Sequence, residues 1–226
     1  MLGLAAITNP GVAPCSPADE SGDGHDAVRQ WARETLYVTA AAMQFEFDRN
    51  ARPGWTWWEN ELTYDNGRLP EAMLRAAVAL DEPRFGDAGL AALEFLGSVT
   101  LPDSIFVPIG APHWYACGGA RRFYDQQPLE AAAMLDAYLA AAQFTGDARF
   151  YERAEVVYGW YHGRNTLGIP LADPETGACH DALVRTGLNP NMGAESTLAY
   201  LQASLFLASA GKRYDVQAER PATATN

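Results

Sequence analysis

Residues 64–71 read Tyr-Asp-Asn-Gly-Arg-Leu-Pro-Glu, and residues 124–130 repeat the pattern as Tyr-Asp-Gln-Gln-Pro-Leu-Glu. An alanine-rich segment follows each copy, then a tight turn, then a segment that opens with Arg-Phe, at 84–85 and 149–150. Proline suits the first turn of a helix because its missing N–H would have no partner there. Two helical hairpins of about 30 to 35 residues are typical of a repeated α/α architecture. Residues 189–195 look like a third, looser start of the same kind.

The pattern around these copies predicts an all-α protein. The predicted helices span residues 26–48, 69–80, 85–99, 128–144, 148–161 and 195–210. Residues 1–25 are rich in Pro, Gly, Ser and Asp, so we expect an irregular lead-in. The helical domain then covers residues 26–212, and the polar residues 213–226 are expected to form a disordered tail.

The hairpins also predict where polar residues gather. The first helix of each hairpin is alanine-rich and suits close packing in an inner layer, whereas the second carries larger apolar side chains. If the inner helices run parallel, their N-termini share one rim, where helix dipoles would keep Asp65 and Asp125 ionised. The polar residues expected at that rim are Asp65, Asn66, Asp125, Gln126, Gln127, Asn191 and Glu195. The alternative is that each Asp or Asn only caps its own helix.

Residues 55–66 combine three tryptophans and Tyr64 with three carboxylates and two carboxamides. So many polar groups cannot be buried without individual partners. Aromatic rings stack on the C–H faces of a sugar while acids and amides bond its hydroxyl groups, so the stretch predicts a carbohydrate site. The alternative is a hydrated, Trp-pinned loop that caps the helix after it.

Composition excludes several classes of function. The chain has 226 residues, 48% of them hydrophobic and 19% charged, as in a globular protein. Its net charge of -12 argues against nucleic acid and anionic membranes as partners, because both require basic patches. The charge fits a neutral ligand.

The cysteines and the apolar segments are used to predict the cellular compartment. The three cysteines, Cys15, Cys117 and Cys179, lack CxxC spacing, and the sequence leaves open whether two of them pair. No run approaches the roughly 18 to 20 apolar residues of a membrane helix. The apolar residues 2–7 are too few for a signal segment and no basic residue precedes them, so we expect a cytoplasmic protein.

Several motifs together resemble a known family. The motifs are Trp-x-Trp-Trp-Glu-x-x-Leu-Thr-Tyr-Asp-Asn-x-Arg-Leu-Pro-Glu-Ala at 55–72, Tyr-Asp-Gln-Gln-Pro at 124–128, Thr-Gly-Asp at 145–147, Asn-x-Leu-Gly at 165–168, Asp-x-x-Thr-Gly-x-Cys-x-Asp at 173–181 and Gly-Ala-Glu-Ser-Thr-Leu at 193–198. In this order they resemble the helical domain C-terminal to some bacterial glycosyltransferases, one of the six-hairpin glycosidase-like (α/α toroid) proteins. The resemblance covers about residues 26–210. It implies an α/α toroid, of which this chain supplies about half a ring.

The resemblance also implies a set of pocket residues. They are Glu59, Asp65, Asn66, Asp125, Gln126, Gln127, Asp181, Asn191 and Glu195. Ala182 stands where the family has Gly and Met192 where it has Gln, which puts the specificity in doubt. No Gly-rich nucleotide loop follows a strand, so transfer from a nucleotide sugar is not indicated. The half ring is expected to be truncated, open, or completed by a second chain or a glycosyltransferase domain.

The leading functional prediction is a glycoside hydrolase-like protein. Hydrolysis uses two carboxyl groups roughly 5 to 9.5 Å apart. Glu59, between indole rings, is the expected general acid, because an apolar wall favours the protonated form; Asp125 or Asp181 is the expected base. The expected substrate-binding residues are Trp57, Trp58, Tyr64, Asp65, Asn66, Gln126, Gln127, His180, Asn191 and Glu195, with His113 and Trp114 as further walls of the pocket.

Two other classes compete with hydrolysis. One is a non-catalytic sugar-binding or partner module of a glycosyltransferase system. The other is a sugar isomerase or epimerase in which His180, beside Asp181, moves the proton. Cys179 is a weaker candidate nucleophile. The scattered histidines and the spacing of the carboxylates predict no metal site and no cofactor.

Overall fold

The computed structural model describes residues 1–3, 5, 22–111 and 114–218, with backbone only for residues 22, 23 and 212–218. This part of the chain is mostly helical, which confirms the predicted all-α class. The helices are α1 (Gly22–Asn50), α2 (Arg68–Leu80), α3 (Pro83–Thr100), α4 (Pro128–Thr145), α5 (Ala148–Gly159) and α6 (Ala194–Ala218), with a 3-10 turn at Pro102–Ser104. None of these helices combines the length and the hydropathy that crossing a bilayer requires.

The ends of the helical part differ from the predicted boundaries. Helix α1 begins at Gly22, within the expected lead-in, and α6 continues to Ala218, past the expected end near residue 210. The segment 211–218 contains one glycine and no proline, so nothing in it forces the helix to stop. The predicted irregular residues 6–21 and tail residues 219–226 lie outside the described part of the chain.

The helices pack as the repeat predicts. Helix α2 packs on α3 and α4 packs on α5, as the two hairpins, while α4 also packs against both α2 and α6. The first helices of the repeats are therefore neighbours, with α4 in the middle. Twelve residues of α4 are buried, including most of its alanines. Whether the layer belongs to a closed toroid stays a prediction.

Two short antiparallel strand pairings bring loops to the starts of the helices. Strand β1 (Glu61–Leu62) pairs antiparallel with β2 (Tyr115–Ala116), so that Leu62 lies opposite Tyr115. Strand β3 (Leu183–Val184) pairs with β4 (Gly187–Leu188). Leu183 also exchanges two backbone hydrogen bonds with Gln126, just before α4. The loops 101–127 and 160–193 are thereby tied to the N-terminal ends of α2 and α4.

A close contact sets the spacing of α2 and α4. A Cβ atom added at Gly67, just before α2, would lie 2.4 Å from the carbonyl carbon of Ala133 in α4. The obstacle is backbone, which cannot move aside as a flexible side chain can. Only glycine fits where these two helices meet.

We therefore predict that Gly67→Ala destabilises the protein by about 1–3 kcal/mol, the usual cost of forcing extra atoms into a packed site. Gly24→Ala is the matched control, because nothing lies within 4 Å of its added Cβ and it sits in helix α1. Alanine should be neutral or slightly stabilising there. Chemical denaturation measures both values, and equal stabilities for the two variants would contradict the proposed contact.

Candidate functional site

The starts of α2, α4 and α6 meet at one rim. The backbone N–H of Asp65, before α2, donates to Glu130 Oε1 in the first turn of α4 at 2.6 Å. The hydroxyl of Tyr64 donates to Glu195 Oε2, in the first turn of α6, at 3.4 Å. These contacts confirm that the three N-termini lie together.

Two aromatic side chains are exposed at this rim. Tyr64 is 46% exposed and Trp114 is 37% exposed, and their ring centroids lie 6.4 Å apart in an edge-to-face arrangement. The β1–β2 register explains the contact, because it places the residue before Tyr115 beside the residues after Leu62. Trp114 thus lies where the sequence expected a wall of the pocket, while His113 lies outside the described residues.

The tryptophans of the stretch 55–66 do not line this rim. Trp57 is 1% and Trp58 is 5% exposed, and they pack edge to face at 5.1 Å. The Trp58 indole N–H donates to the carbonyl of Met43 in α1, so even its polar atom is satisfied inside. The prediction that Trp57 and Trp58 stack on sugar is therefore wrong. Large indole faces are better buried between α1 and the loop than left in water.

The predicted general acid, Glu59, is not enclosed. Its side chain is exposed, although its backbone carbonyl accepts a hydrogen bond from the Trp55 indole at 2.6 Å. The apolar wall that we expected around this carboxyl group is absent, because the neighbouring indoles turn inward. Glu59 therefore lacks the environment on which its assignment rested.

The two predicted bases lie in other loops. The side chain of Asp125 is exposed, and its backbone exchanges two hydrogen bonds with Ala111. Asp181 accepts hydrogen bonds from the Gly193 N–H at 2.7 Å and from the Asn191 amide. The Gly193 N–H, with the Asn191 and Ser196 side chains, holds the pKa of Asp181 below its usual range. Asp181 and Asn191 thus fix the start of α6, as the capping alternative expects.

The predicted amide residues are mostly structural. Gln126 is fully buried and accepts a hydrogen bond from the Trp160 indole at 2.9 Å. Asn66 is buried, and its side-chain amide accepts a hydrogen bond from the Thr63 N–H and donates one to the Thr63 carbonyl. Gln127 stands at the N-cap of α4, where its side chain makes no capping hydrogen bond. Of Asn66, Gln126 and Gln127, only Gln127 has a partly exposed side chain.

The histidine and cysteine candidates are held in their own loop. The Nδ1 atom of His180 lies 2.7 Å from the carbonyl of Asn189, so Nδ1 carries a proton that it donates there. Cys179 is buried, and burial raises its pKa to about 12, which disfavours the nucleophilic thiolate near neutral pH. Cys117 and Cys179 both carry free thiols. Within the described residues, no three His, Cys, Asp or Glu side chains cluster as metal ligands would.

Burial perturbs the carboxyl groups at the rim itself. Glu130 is buried, and this raises its pKa to about 7 against the opposing hydrogen bond from Asp65 N–H. Burial also raises the pKa of Asp65, with Arg68 opposing and with Glu71 and Glu195 adding to the rise. At Asp65 the desolvation that raises the pKa therefore opposes the helix N-terminus, which was expected to keep this carboxyl group ionised.

A charged network lies beneath the rim. Arg68 contacts Glu71 at 2.7 Å and the fully buried Asp136 at 2.6 Å. Gln202 of α6 also donates to Asp136, and the second oxygen of that carboxyl group has no hydrogen-bond partner among the described residues. Burial, then the charge of Glu71, raises the pKa of Asp136 to about 6.

Sequence reasoning missed Glu71, Glu130 and Asp136. The repeat held the clue for two of them, because Glu71 and Glu130 close the two matching copies. Both are buried in the first turn of an inner helix. The space beside Glu130 and Asn66 has a volume of ≈ 10 Å³, room for about one water. It is too small for a sugar, which leaves the exposed side chains of the rim as the surface open to a ligand.

We predict that Glu130 makes stability fall with rising pH. Its pKa of about 7 lies above the usual value of 4.5 for a glutamate, so the folded chain holds the proton more tightly than the unfolded chain. The resulting stabilisation is complete below about pH 4.5 and is lost as the pH rises through about 7. Between about pH 5 and 8 the free energy of unfolding should fall by on the order of 1–3 kcal/mol. Asp65 and Asp136 contribute with the same sign.

Urea unfolding at several pH values tests this assignment. Glu130→Gln should reduce the slope between about pH 5 and 8. Asp181→Asn is the contrast, because the pKa of Asp181 is lowered and its contribution disappears only as the pH falls below about 4. An unchanged slope in Glu130→Gln would show that another group carries the dependence.

Comparison with known proteins assigns no family. No family model matches the chain, and no curated protein matches it. The resemblance to six-hairpin glycosidase-like proteins therefore stays a prediction from the motifs.

Proposed function

We propose that this protein is carbohydrate-active and that the rim site, made of Tyr64, Asp65, Trp114 and Glu195, binds a saccharide. One observation carries the proposal: the exposed ring of Tyr64 contacts both the exposed ring of Trp114 and the exposed carboxyl group of Glu195. The rings offer apolar faces, and the carboxyl oxygens accept hydrogen bonds from hydroxyl groups.

The electrostatics of the chain support a neutral ligand. The net charge is -12, and Asp65, Glu71, Glu130 and Glu195 all lie at or near the rim. An anionic ligand would be repelled from this surface. A sugar presents hydroxyl donors for the carboxylates and C–H faces for the rings, without a charge of its own.

The open shape of the rim also fits this ligand. Rings exposed at the surface, rather than in a closed cavity, suit the face of a sugar unit within a longer chain. Tyr64 is held by its hydroxyl contact with Glu195, and Trp114 by the β2 pairing that follows it. Both rings are therefore positioned before a ligand arrives, which reduces the entropy cost of binding.

We predict that Trp114→Ala weakens saccharide binding by about 1–3 kcal/mol, the scale of a lost aromatic contact with its buried area. Stability should change little, because the ring is already partly exposed. Val78→Ala removes an exposed apolar side chain from the half of α2 that lies away from the rim, and it is the control. Calorimetric titration with a panel of oligosaccharides measures both, and equal affinities for the two variants would contradict the site.

Hydrolysis of a glycosidic bond is the second candidate function. Burial raises the pKa of Asp65, and the charge of Glu195 contributes to that rise, so the two groups are neighbours. One protonated and one ionised carboxyl group are the requirement for acid–base hydrolysis. Asp65 would protonate the leaving oxygen and Glu195 would activate water, in place of Glu59 with Asp125 or Asp181.

We predict that Asp65→Asn and Glu195→Gln each lower turnover of a cleavable glycoside by about a hundredfold or more, the usual worth of a general acid or base. Glu59→Gln should stay within about threefold of the parent protein. Single-turnover assays on a glycoside panel separate these outcomes. The opposite ranking, with Glu59→Gln inactive, would restore the original assignment.

A protein that binds a saccharide without cleaving it is the main alternative to a hydrolase. Asp181 and Glu130 are engaged in holding helix starts, which leaves few free acids and favours a binding module. Binding at the rim without cleavage would favour the alternative of a non-catalytic sugar-binding or partner module of a glycosyltransferase system. His180 donates its Nδ1 proton within its loop, so it gives the isomerase alternative less support than the rim gives to binding.

A further inference from the structure

Helix α1 carries an exposed apolar stripe, here named the α1 seam. It consists of Val28, Trp31, Val38 and Phe45, which are 52 to 68% exposed. With Thr35 and Ala42 between them, these positions follow one another at alternating spacings of three and four residues. That spacing keeps side chains on one face of a helix and is typical of a face that packs against another helix.

Helix α6 carries a second stripe, here named the α6 seam. Leu198, Leu201 and Leu205 are 48 to 64% exposed, and the exposed Ala194 and Ala208 extend the same spacing. The opposite face of α6, with Ala199 and Ala203, is buried against the protein. The seam is therefore a second helix face without a packing partner among the described residues.

The two seams lie on helices that pack at different ends of the layer. Helix α1 packs against α2 and α3, whereas α6 packs against α4 and α5. The inner helices α2 and α4 lie between α1 and α6, and α6 is the third inner helix. A groove of ≈ 370 Å³ borders the α1 seam at Val38 and is also lined by Tyr37 and Leu80.

The apolar area exposed on the two seams distinguishes between possible dimers of this chain. The seven side chains of both seams leave roughly 800 Å² exposed per chain, since a large aromatic side chain alone can bury about 150–250 Å². A dimer that paired a single seam with itself would bury about 800 Å² in total, the size of a packing contact. A dimer that covered both seams would bury about 1,600 Å², the standard size of a stable interface.

We propose that a second copy of this chain covers both seams. The α1 seam of one protomer packs on the α6 seam of its partner, and the α6 seam of the first packs on the α1 seam of the second. The two contacts are identical and related by a two-fold axis, so the assembly closes at two chains. This arrangement would join two layers of three inner helices end to end.

Sedimentation velocity over a range of chain concentrations tests the assembly. The parent protein should sediment as a dimer. Val38→Glu and Leu205→Lys should each shift it to monomer, because a charged group would be buried without a partner in both contacts. Gln30→Glu adds the same charge to α1 outside the seam and should leave the dimer intact. Circular dichroism checks that each variant is folded; if one is not, Trp31→Ser or Leu201→Ser takes its place.

Mixing the two variants distinguishes the proposed pairing from others. A Val38→Glu chain retains its α6 seam and a Leu205→Lys chain retains its α1 seam. A mixed dimer therefore has one intact contact and one contact in which the introduced carboxylate and ammonium groups compensate each other. The mixture should therefore recover dimer that neither variant forms alone. A monomeric parent, a dimer that only one of the two variants disrupts, a mixture without recovery, or growth beyond two chains would each overturn the proposal.

Discussion

The rim depends on one buried carboxyl group. Glu130 accepts the backbone N–H groups of Asp65 and Asn66, which stand just before α2 and have no helical partner of their own. The close approach at Gly67 leaves no room for a larger side chain between α2 and α4. Glu130 therefore fixes the position of α2 relative to α4, and with it the direction in which Tyr64 and Asp65 face.

This arrangement has an electrostatic cost that shapes the site. Glu71, Glu130 and Asp136 are buried close to the rim, and Arg68 and Arg75 form ion pairs with Glu71 and Asp136 but not with Glu130. Burial raises the pKa of Glu130, Asp136 and Asp65, and neighbouring acids add to the rise. Perturbed acids of this kind cluster at functional sites, although structural networks also produce them. The exposed aromatic pair beside them favours a functional role.

The sequence was sufficient for the helices and their pairing, but not for the side chains of the site. Proline and alanine patterns predicted the hairpins, because local spacing determines which residues share a helix. The burial of the tryptophans was not predictable in this way, because residue type does not determine whether an indole packs against α1 or lies in solvent. Trp114 came beside Tyr64 only through the register of β1 with β2, which joins segments some fifty residues apart in the chain. Asp136 met Arg68 through helix packing, for which no local pattern exists.

A structure of the protein with a bound oligosaccharide would show whether the rim binds sugar. We expect a sugar ring on the Trp114 and Tyr64 faces, with hydroxyl groups within hydrogen-bond distance of Asp65 and Glu195. A sugar bound instead among Glu59, Asp125 and Asp181, or at the groove beside α1, would contradict it.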